Sequence, residues 1–308
     1  MRLATFRQGT SVGAGLVLGS GPIMPLHAAC DDLGLPRPRS AAELMGWPTE
    51  LHRKLSHHVS EIDQDPLRTA RLPRLTDVEL LPPMGENVLV VATSGNYLSH
   101  LMEMRVSRPR DMSSFLVSPR SLCGSGHPIQ LPPDFSQMVD WEGEFCLVMR
   151  RKCYRVSPEE AMDCIGGYTL FNDVSARDWV AETSSRDVGS AVGAWRKNLM
   201  FKQFPSFGPI GPVIVTTDEI PEPASLQIET AVNGEVMQLD TVGHLARSFG
   251  QVVAELAMVY QFEAGDVITL GTPAGVGVAR SPQRFLRAGD EVTVAVPEIG
   301  VLRNPVVT

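Results

Sequence analysis

The segment Glu142-Gly143-Glu144-Phe145-Cys146-Leu147-Val148-Met149 constrains the fold of this chain more than any other stretch. Phe145 to Met149 is an unbroken apolar run, which reads as a strand buried in a sheet. Its leading end carries two carboxylates two residues apart, and side chains at that spacing share one face of a strand. Glu142 and Glu144 therefore point at one place, where they repel unless a cation sits between them or one takes a proton. A third acid, Asp173 in Phe171-Asn172-Asp173-Val174-Ser175-Ala176-Arg177-Asp178, falls on a second predicted strand. Three acidic oxygens with no histidine or cysteine beside them suit a hard cation such as Mg²⁺, Mn²⁺ or Ca²⁺, not zinc. An isolated Glu-x-Glu is more often an exposed acidic strand face, so the rest of the chain must decide.

With 308 residues, 43% of them hydrophobic, the chain can bury the core of one large domain with a smaller appendage. The net charge of −8 argues against a nucleic-acid or anionic-membrane surface. Arg105, Arg108 and Arg110 read as a solvated loop. Cys30, Cys123, Cys146, Cys153 and Cys164 are odd in number and lack Cys-x-x-Cys spacing, so free thiols in a reducing cytosol fit best. The apolar stretch Ser11–Leu26 is too broken by glycines and Pro22 for a secretory signal. No segment has the roughly 20 uninterrupted apolar residues of a membrane span. The expectation is a soluble, unprocessed, cytoplasmic protein.

Leu3–Phe6 and Val12–Leu18 read as strands around a turn at Gln8-Gly9, with a second turn at Ser20-Gly21-Pro22. A polar helical stretch over Ala41–Ser60 follows. Prolines 66, 73, 82 and 83 punctuate the exit and place a boundary at Leu81-Pro82-Pro83, dividing residues 1–82 from 83–308. Asn87–Ala92 is a predicted strand, and short apolar runs from 113 to 150 read as strands and turns. Ser157-Pro158-Glu159-Glu160 signals a helix start, with Gly166-Gly167 as its end and a strand over Tyr168–Val174 after it. Thr241–Tyr260 has apolar spacing for a second helix. The class is β-rich α+β.

Three more constellations bear on chemistry. In Asn96-Tyr97-Leu98-Ser99-His100-Leu101-Met102-Glu103, a short helix would bring His100 and Glu103 together. A carboxylate on one imidazole nitrogen raises the basicity of the other, making a water-activating dyad. Lys202, amid Phe201, Phe204 and Pro205, would add positive charge beside a ligand carboxylate or enolate. Gly265 to Gly277 is a glycine-spaced turn that can offer backbone N–H groups and the Thr272 hydroxyl to an anion. Each alone is a weak signal.

Their order and spacing together are specific. Asn-Tyr-x-x-His-x-x-Glu, Glu-x-Glu, Gly-Tyr-x-x-x-Asn-Asp-x-Ser-Ala-Arg-Asp, Lys202 with Gly-Pro-x-Gly-Pro, Val-Asn-Gly-Glu-x-x-Gln (Val232–Gln238) and Gly-Asp-x-Ile-x-x-Gly-Thr-Pro-x-Gly-Val-Gly resemble the fumarylacetoacetate hydrolase family over about residues 85–308. The start, Arg2-Leu3-Ala4-Thr5-Phe6, is similar to that family's small N-terminal domain. The resemblance implies a mixed β-sandwich roll in a homodimer, with Mg²⁺ or Mn²⁺ (Ca²⁺ able to substitute) held by Glu142, Glu144 and Asp173. It puts His100 and Glu103 on a lid, makes Lys202 catalytic, and gives Tyr97, Gln238 and Thr272 to the substrate. Arg177 and Asp178 are expected to buttress the Asp173 strand. Phe201, Pro205 and Val117 depart from the family pattern, and the stretch Trp179–Leu199 is longer than its usual length.

The activity expected from the resemblance is metal-dependent C–C hydrolysis of acylpyruvate-type 2,4-diketo acids, in aromatic or sugar-acid catabolism. His100, oriented by Glu103, would activate the water, and Lys202 would help hold the pyruvate enolate. The alternative is an oxaloacetate-type decarboxylase or a 2-oxo acid tautomerase or isomerase working through the same enolate. A silent metal-binding scaffold would have no use for the dyad.

Overall fold

The computed structural model of the chain describes residues 1–19, 21–38, 40–85, 87–178 and 199–308. The long stretch from Trp179 lies outside the described residues up to Leu199, as does Ser20 of the second predicted turn.

The chain opens with the expected hairpin, β1 (Arg2–Gln8) and β2 (Ser11–Val17), followed by β3 (Ile23–Pro25). Helices α1 (Leu26–Leu33), α2 (Ala41–Met45), α3 (Thr49–Asp63) and α4 (Pro66–Thr69) come next. The helix expected over Ala41–Ser60 is thus two helices. Pro48 causes the break, because it disfavours helical backbone at Trp47 and then occupies the N-cap of α3. β4 (Glu79–Leu81), β5 (Val90–Ser94), α5 (Leu98–Glu103), β6 (Ser113–Leu116), β7 (Leu122–Cys123), β8 (Ile129–Gln130) and β9 (Val139–Asp140) lead to the strand of the acid pair. That strand is β10 (Gly143–Met149), and α6 (Pro158–Met162) joins it to β11 (Ile165–Asn172).

Ser157 and Glu160 form a full capping box at α6. The helix stops at Met162, earlier than expected, and Gly166 and Gly167 lie inside β11. A side chain at Gly166 would meet the Arg150 Cβ at 2.5 Å, so the glycines serve close strand packing and not helix termination. Then follow β12 (Ser175–Ala176), β13 (Gly208–Thr216), β14 (Gln227–Val232), β15 (Glu235–Thr241), α7 (Phe249–Ala257), β16 (Val267–Thr269), β17 (Glu291–Val296) and β18 (Gly300–Val307). The helix expected from Thr241 to Tyr260 is only α7. Ser248 caps it through a box with Gln251, while Thr241 ends β15 and Leu245 bridges to Tyr97.

Among the described residues an eleven-stranded sheet runs β3-β2-β1-β13-β11-β10-β16-β5-β6, with β4 on β1 and β7 on β13. A five-stranded sheet runs β15-β14-β17-β18-β8, and β12 pairs with β9. The fold is the strand-rich α+β arrangement that the sequence implied. The N-terminal hairpin joins the large sheet directly, Leu3 opposite Ile214. β10 is buried on both faces: Phe145, Leu147 and Met149 enter one hydrophobic cluster, and Cys146 and Val148 the other. An apolar run with no polar alternation is what such a strand requires.

Candidate active site

The acids occupy the ends of two neighbouring strands. Glu144 is the second residue of β10, Glu142 precedes that strand by one residue, and Asp173 follows β11 by one. β10 and β11 are antiparallel, with Gly143 opposite Asn172, so the start of one lies beside the end of the other. Two bonds fix the corner: the Glu142 amide donates to Asn172 Oδ1 at 3.0 Å, and the Asp173 amide donates to the Glu142 carbonyl at 2.9 Å. Gly143 is required between the glutamates, because a Cβ there would fall 2.0 Å from Thr230 Oγ1.

One oxygen from each of Glu142, Glu144 and Asp173 lies within 4.8 Å of the others, and all three residues are buried. Lys202 Nζ donates to Glu142 Oε2 at 2.8 Å and to Asp173 Oδ2 at 2.5 Å. Arg177 donates to Glu142 and, at 3.1 Å, to Asp140 Oδ2. Glu144 Oε2 accepts from the Gly271 amide at 3.1 Å, where the chain turns with φ +82°. Burial alone would raise Glu142, but Arg177 and Lys202 outweigh it and hold the carboxyl down at about 2. Glu144 is pushed well up by burial and by Asp173 and Glu142. Burial also raises Asp173 to about 6, with Glu142 adding to the shift and Lys202 opposing it. A cluster that must retain protons when left to itself, with only hard oxygen donors, fits a divalent cation such as Mg²⁺ or Mn²⁺.

α5 brings the second half. His100 Nδ1 and Glu103 Oε2 are 3.0 Å apart, so the spacing of three does form the dyad. Glu103 Oε1 accepts from the Gly275 amide at 2.8 Å, and Ser99 Oγ reaches Asp240 Oδ2 at 2.5 Å. His100 faces a cavity of about 300 Å³ that Glu142, Glu144, Asp173, Arg177, Lys202 and Thr272 also line. The structure therefore brings the predicted metal ligands, dyad and lysine into one chamber.

The remaining predicted site residues are placed differently. Thr272 lines the chamber, but its hydroxyl donates to the Gly143 carbonyl at 3.0 Å and accepts from Gln238 Nε2 at 2.8 Å. Gln238 also donates to the Pro273 carbonyl and accepts from the Gly143 amide, so its amide braces the backbone between the glutamates. Tyr97 is buried in the main core, and its hydroxyl has no partner among the described residues. Asp178 accepts from Ser136 and from the Gln137 and Met138 amides, tying the segment after β12 to the approach to β9. Arg177 does more, since it bonds directly to Glu142 of the acid triad.

The profile of the fumarylacetoacetate (FAA) hydrolase C-terminal domain matches residues 89–307. This chain belongs to the fumarylacetoacetate hydrolase family. It is similar to the human mitochondrial oxaloacetate tautomerase FAHD2B, with 37% identity over 240 residues, spanning 77% of this chain and 73% of the relative. Among solved structures it is similar to a fumarylacetoacetate hydrolase from Exiguobacterium antarcticum, at 29% identity and a TM-score of 0.78, covering 100% of this chain and 99% of the other. It is also similar to a 5-carboxymethyl-2-hydroxymuconate delta-isomerase from Mycobacterium smegmatis, at 30% identity and a TM-score of 0.71, covering 100% and 98%. In this family member, Asp140 was missed as a site residue. Its carboxylate is fully buried and accepts from Arg177 and from the Gly277 and Val278 amides. The period-two run Asp140-x-Glu142-x-Glu144 was the available signal.

Proposed function

We propose that the protein catalyses enol–keto proton transfer on 2-oxo acids, the reaction class named for its oxaloacetate tautomerase relatives. The observation that carries this reading is the His100–Glu103 pair at 3.0 Å, opening on the same chamber as the acid triad. A divalent cation held by Glu142, Glu144 and Asp173 would supply chelation of the substrate's carboxylate and 2-oxo oxygens and make the C3 hydrogens more acidic. Glu103 holds His100 Nδ1, which leaves Nε2 as the proton-carrying atom toward the chamber. In the ketonising direction, His100 Nε2 gives a proton to C3, the enol hydroxyl passes its proton to water, and the imidazole regains a proton from that water. Lys202 has three N–H donors and spends two on Glu142 and Asp173, leaving the third for a substrate oxygen bearing developing charge. Burial of the lysine would favour its neutral form, but Asp173 and Glu142 prevail and hold it protonated.

The reading includes Mg²⁺ or Mn²⁺ as the metal, residues 1–82 as a small N-terminal domain, and a homodimer working in a reducing compartment. Five free, buried cysteines support that compartment. Among the described residues, no helix is long and apolar enough to cross a membrane. Hydrolysis of acylpyruvates is the second reading, favoured by Glu103, because a carboxylate-oriented histidine also suits water activation.

The test is to mix Mg²⁺-loaded protein with enol oxaloacetate, following the enol by ultraviolet absorbance, and separately with acetylpyruvate. Faster ketonisation with no CO₂ release and intact acetylpyruvate is expected. Acetate and pyruvate as products would move the conclusion to the hydrolase, and CO₂ to a decarboxylase. No effect on either substrate would sink the proposal.

A further inference from the structure

His100 serves the chamber only if α5 is held in one place, and six residues make too short a helix to be stable alone. Ser99 and Glu103 stand four apart, on one face of that helix. The face rests on two successive amides of the loop after β16. Ala274 N–H donates to Ser99 Oγ at 3.3 Å, and Gly275 N–H donates to Glu103 Oε1 at 2.8 Å. The same loop gives its Gly271 amide to Glu144, so it spans the dyad helix and the acid triad.

The Ser99 hydroxyl has one proton to donate, and Asp240 receives it. Asp240 lies near the end of β15, with its side chain 10% exposed. Its Oδ2 accepts from Ser99 Oγ at 2.5 Å. Its Oδ1 accepts from the Thr241 amide at 2.7 Å and lies 2.7 Å from His244 Nδ1, so both oxygens are held. The turn that Asp240 opens grips α5 again, because the His244 carbonyl accepts from the Leu98 amide at 3.2 Å. Beyond it, the Ala246 amide donates to the Asn96 carbonyl at 2.6 Å and the Arg247 amide to Asn96 Oδ1 at 3.1 Å. Residues 240–247 thus hold residues 96–99 from one side, and the loop after β16 holds α5 from another. Asp240 is neither a member of the acid triad nor part of the chamber lining.

We infer that Asp240 is a positioning residue for proton transfer: through Ser99 it fixes α5 so that His100 faces the acid triad, without touching substrate. This rests on the reading above that His100 carries the proton. A hydrogen bond from a hydroxyl to a carboxylate is charge-assisted and stronger than a neutral one, which suits an anchor. Misplacing a reacting group by about 1 Å can cost about 10²-fold in rate. Binding of the substrate head falls to the acid triad, so loss of the anchor should appear in kcat and not in KM.

The experiment compares Asp240→Ala, Ser99→Ala, the double variant and Ser99→Thr with the unmodified Mg²⁺-loaded full chain. Ketonisation of enol oxaloacetate and amide hydrogen exchange are measured for each. Asp240→Ala is expected to lower kcat by about 10–100-fold with KM within about twofold. Exchange should quicken over residues 98–104 and stay unchanged in β10. Ser99→Ala should cost about as much, and the double variant no more than the larger single loss, because both remove one bond. Ser99→Thr keeps the hydroxyl and should retain kcat within about threefold. Losses that multiply in the double variant would overturn the inference, as would an unchanged kcat in Asp240→Ala or unmoved exchange in α5. Absence of ketonisation by the unmodified protein would sink the reaction proposed above, while the exchange comparison still decides whether Asp240 anchors α5.

Discussion

The acid end of the chamber and its base end are built from different materials. Glu144 lies on β10, and Glu142 and Asp173 directly flank β10 and β11, strands paired on both sides; the exposures of Glu142, Glu144 and Asp173 are 7%, 1% and 2%. His100 and Glu103 ride on a six-residue helix, with side chains 20% and 18% exposed. That helix is tied down by a few bonds: Leu98 N–H to the His244 carbonyl, Ser99 to Asp240, and Gly275 N–H to Glu103. Elements with few buried contacts open at lower free energy than core strands. The difference separates the two tasks. On the proposed reading, charge is held by the deeply buried strand ends and proton transfer falls to the more exposed helix.

If the two ends are separable, removing the base should leave the metal centre whole. His100→Ala is expected to lower kcat by about 10²–10⁴-fold, the usual worth of a positioned acid–base group. Mn²⁺ affinity measured by calorimetry should stay within about twofold of the parent protein, because His100 touches no ligand carboxylate. A matching collapse of Mn²⁺ binding would show that the ends are one unit.

The reverse change attacks the acid end. Glu142→Gln keeps the shape but removes one charged donor, and it leaves Arg177 and Lys202 each with one fewer anionic partner. Mn²⁺ affinity should weaken by about 100-fold or more, at or beyond the 10–100-fold typical of outer-shell losses. Unchanged affinity would remove Glu142 from the metal site.

Acidity should sharpen the same contrast by a smaller step. Asp173 is raised to about 6 and Glu144 is raised well above its ordinary value, so the metal-free site holds protons that a cation must displace. Affinity is therefore full above these values and declines as pH falls through about 6, by about tenfold per unit for each proton displaced. The metal-free fold responds with the opposite sign. For a carboxyl whose folded value is raised, stability declines as pH rises from the ordinary value near 4 toward 6. Calorimetric titrations with Mn²⁺ at pH 5, 6 and 7 check the first trend, and thermal melts of metal-free protein check the second. A flat affinity profile would show that neither carboxyl binds the metal.

The acid end was also the more legible in the sequence. Period-two spacing and an unbroken apolar run dictate one geometry for Glu142 and Glu144, whatever the rest of the chain does. The His100–Glu103 spacing was equally plain once a helix was assumed. Less visible were contacts made across long separations. Gln238 and Thr272 stand out by their motifs, but nothing local shows that their side chains also bond Gly143 and each other. The buried Arg247 lies in a stretch whose apolar spacing suggested one long helix, and nothing local announces its grip on Pro109 and Arg110. Helix ends were misjudged where glycine serves packing, as at Gly166, because sequence alone does not distinguish a helix stop from a close strand approach.

The loop after α5 gives the smallest expected effect and the finest test of the two-ended chamber. The three arginines directly following the dyad read from sequence as a solvated loop, the opposite of a clamp on a dicarboxylic substrate. The structure places all three in solvent and outside the chamber lining, while Val106 and Pro109 of the same loop are among the lining residues. Arg105 adopts φ +54°, the left-handed turn that carries the chain away from α5. Salt screens exposed charges, with a Debye length of about 8 Å at physiological ionic strength, and weakens their pull on a ligand they do not touch. Arg105→Ala, Arg108→Ala and Arg110→Ala should each leave KM within about twofold for both a dicarboxylic and an alkyl 2-oxo acid at that ionic strength. Steady-state kinetics on the two substrates in parallel decides the matter. A selective rise in KM for the dicarboxylic substrate in any one variant would mean that the loop brings its charged side to the substrate.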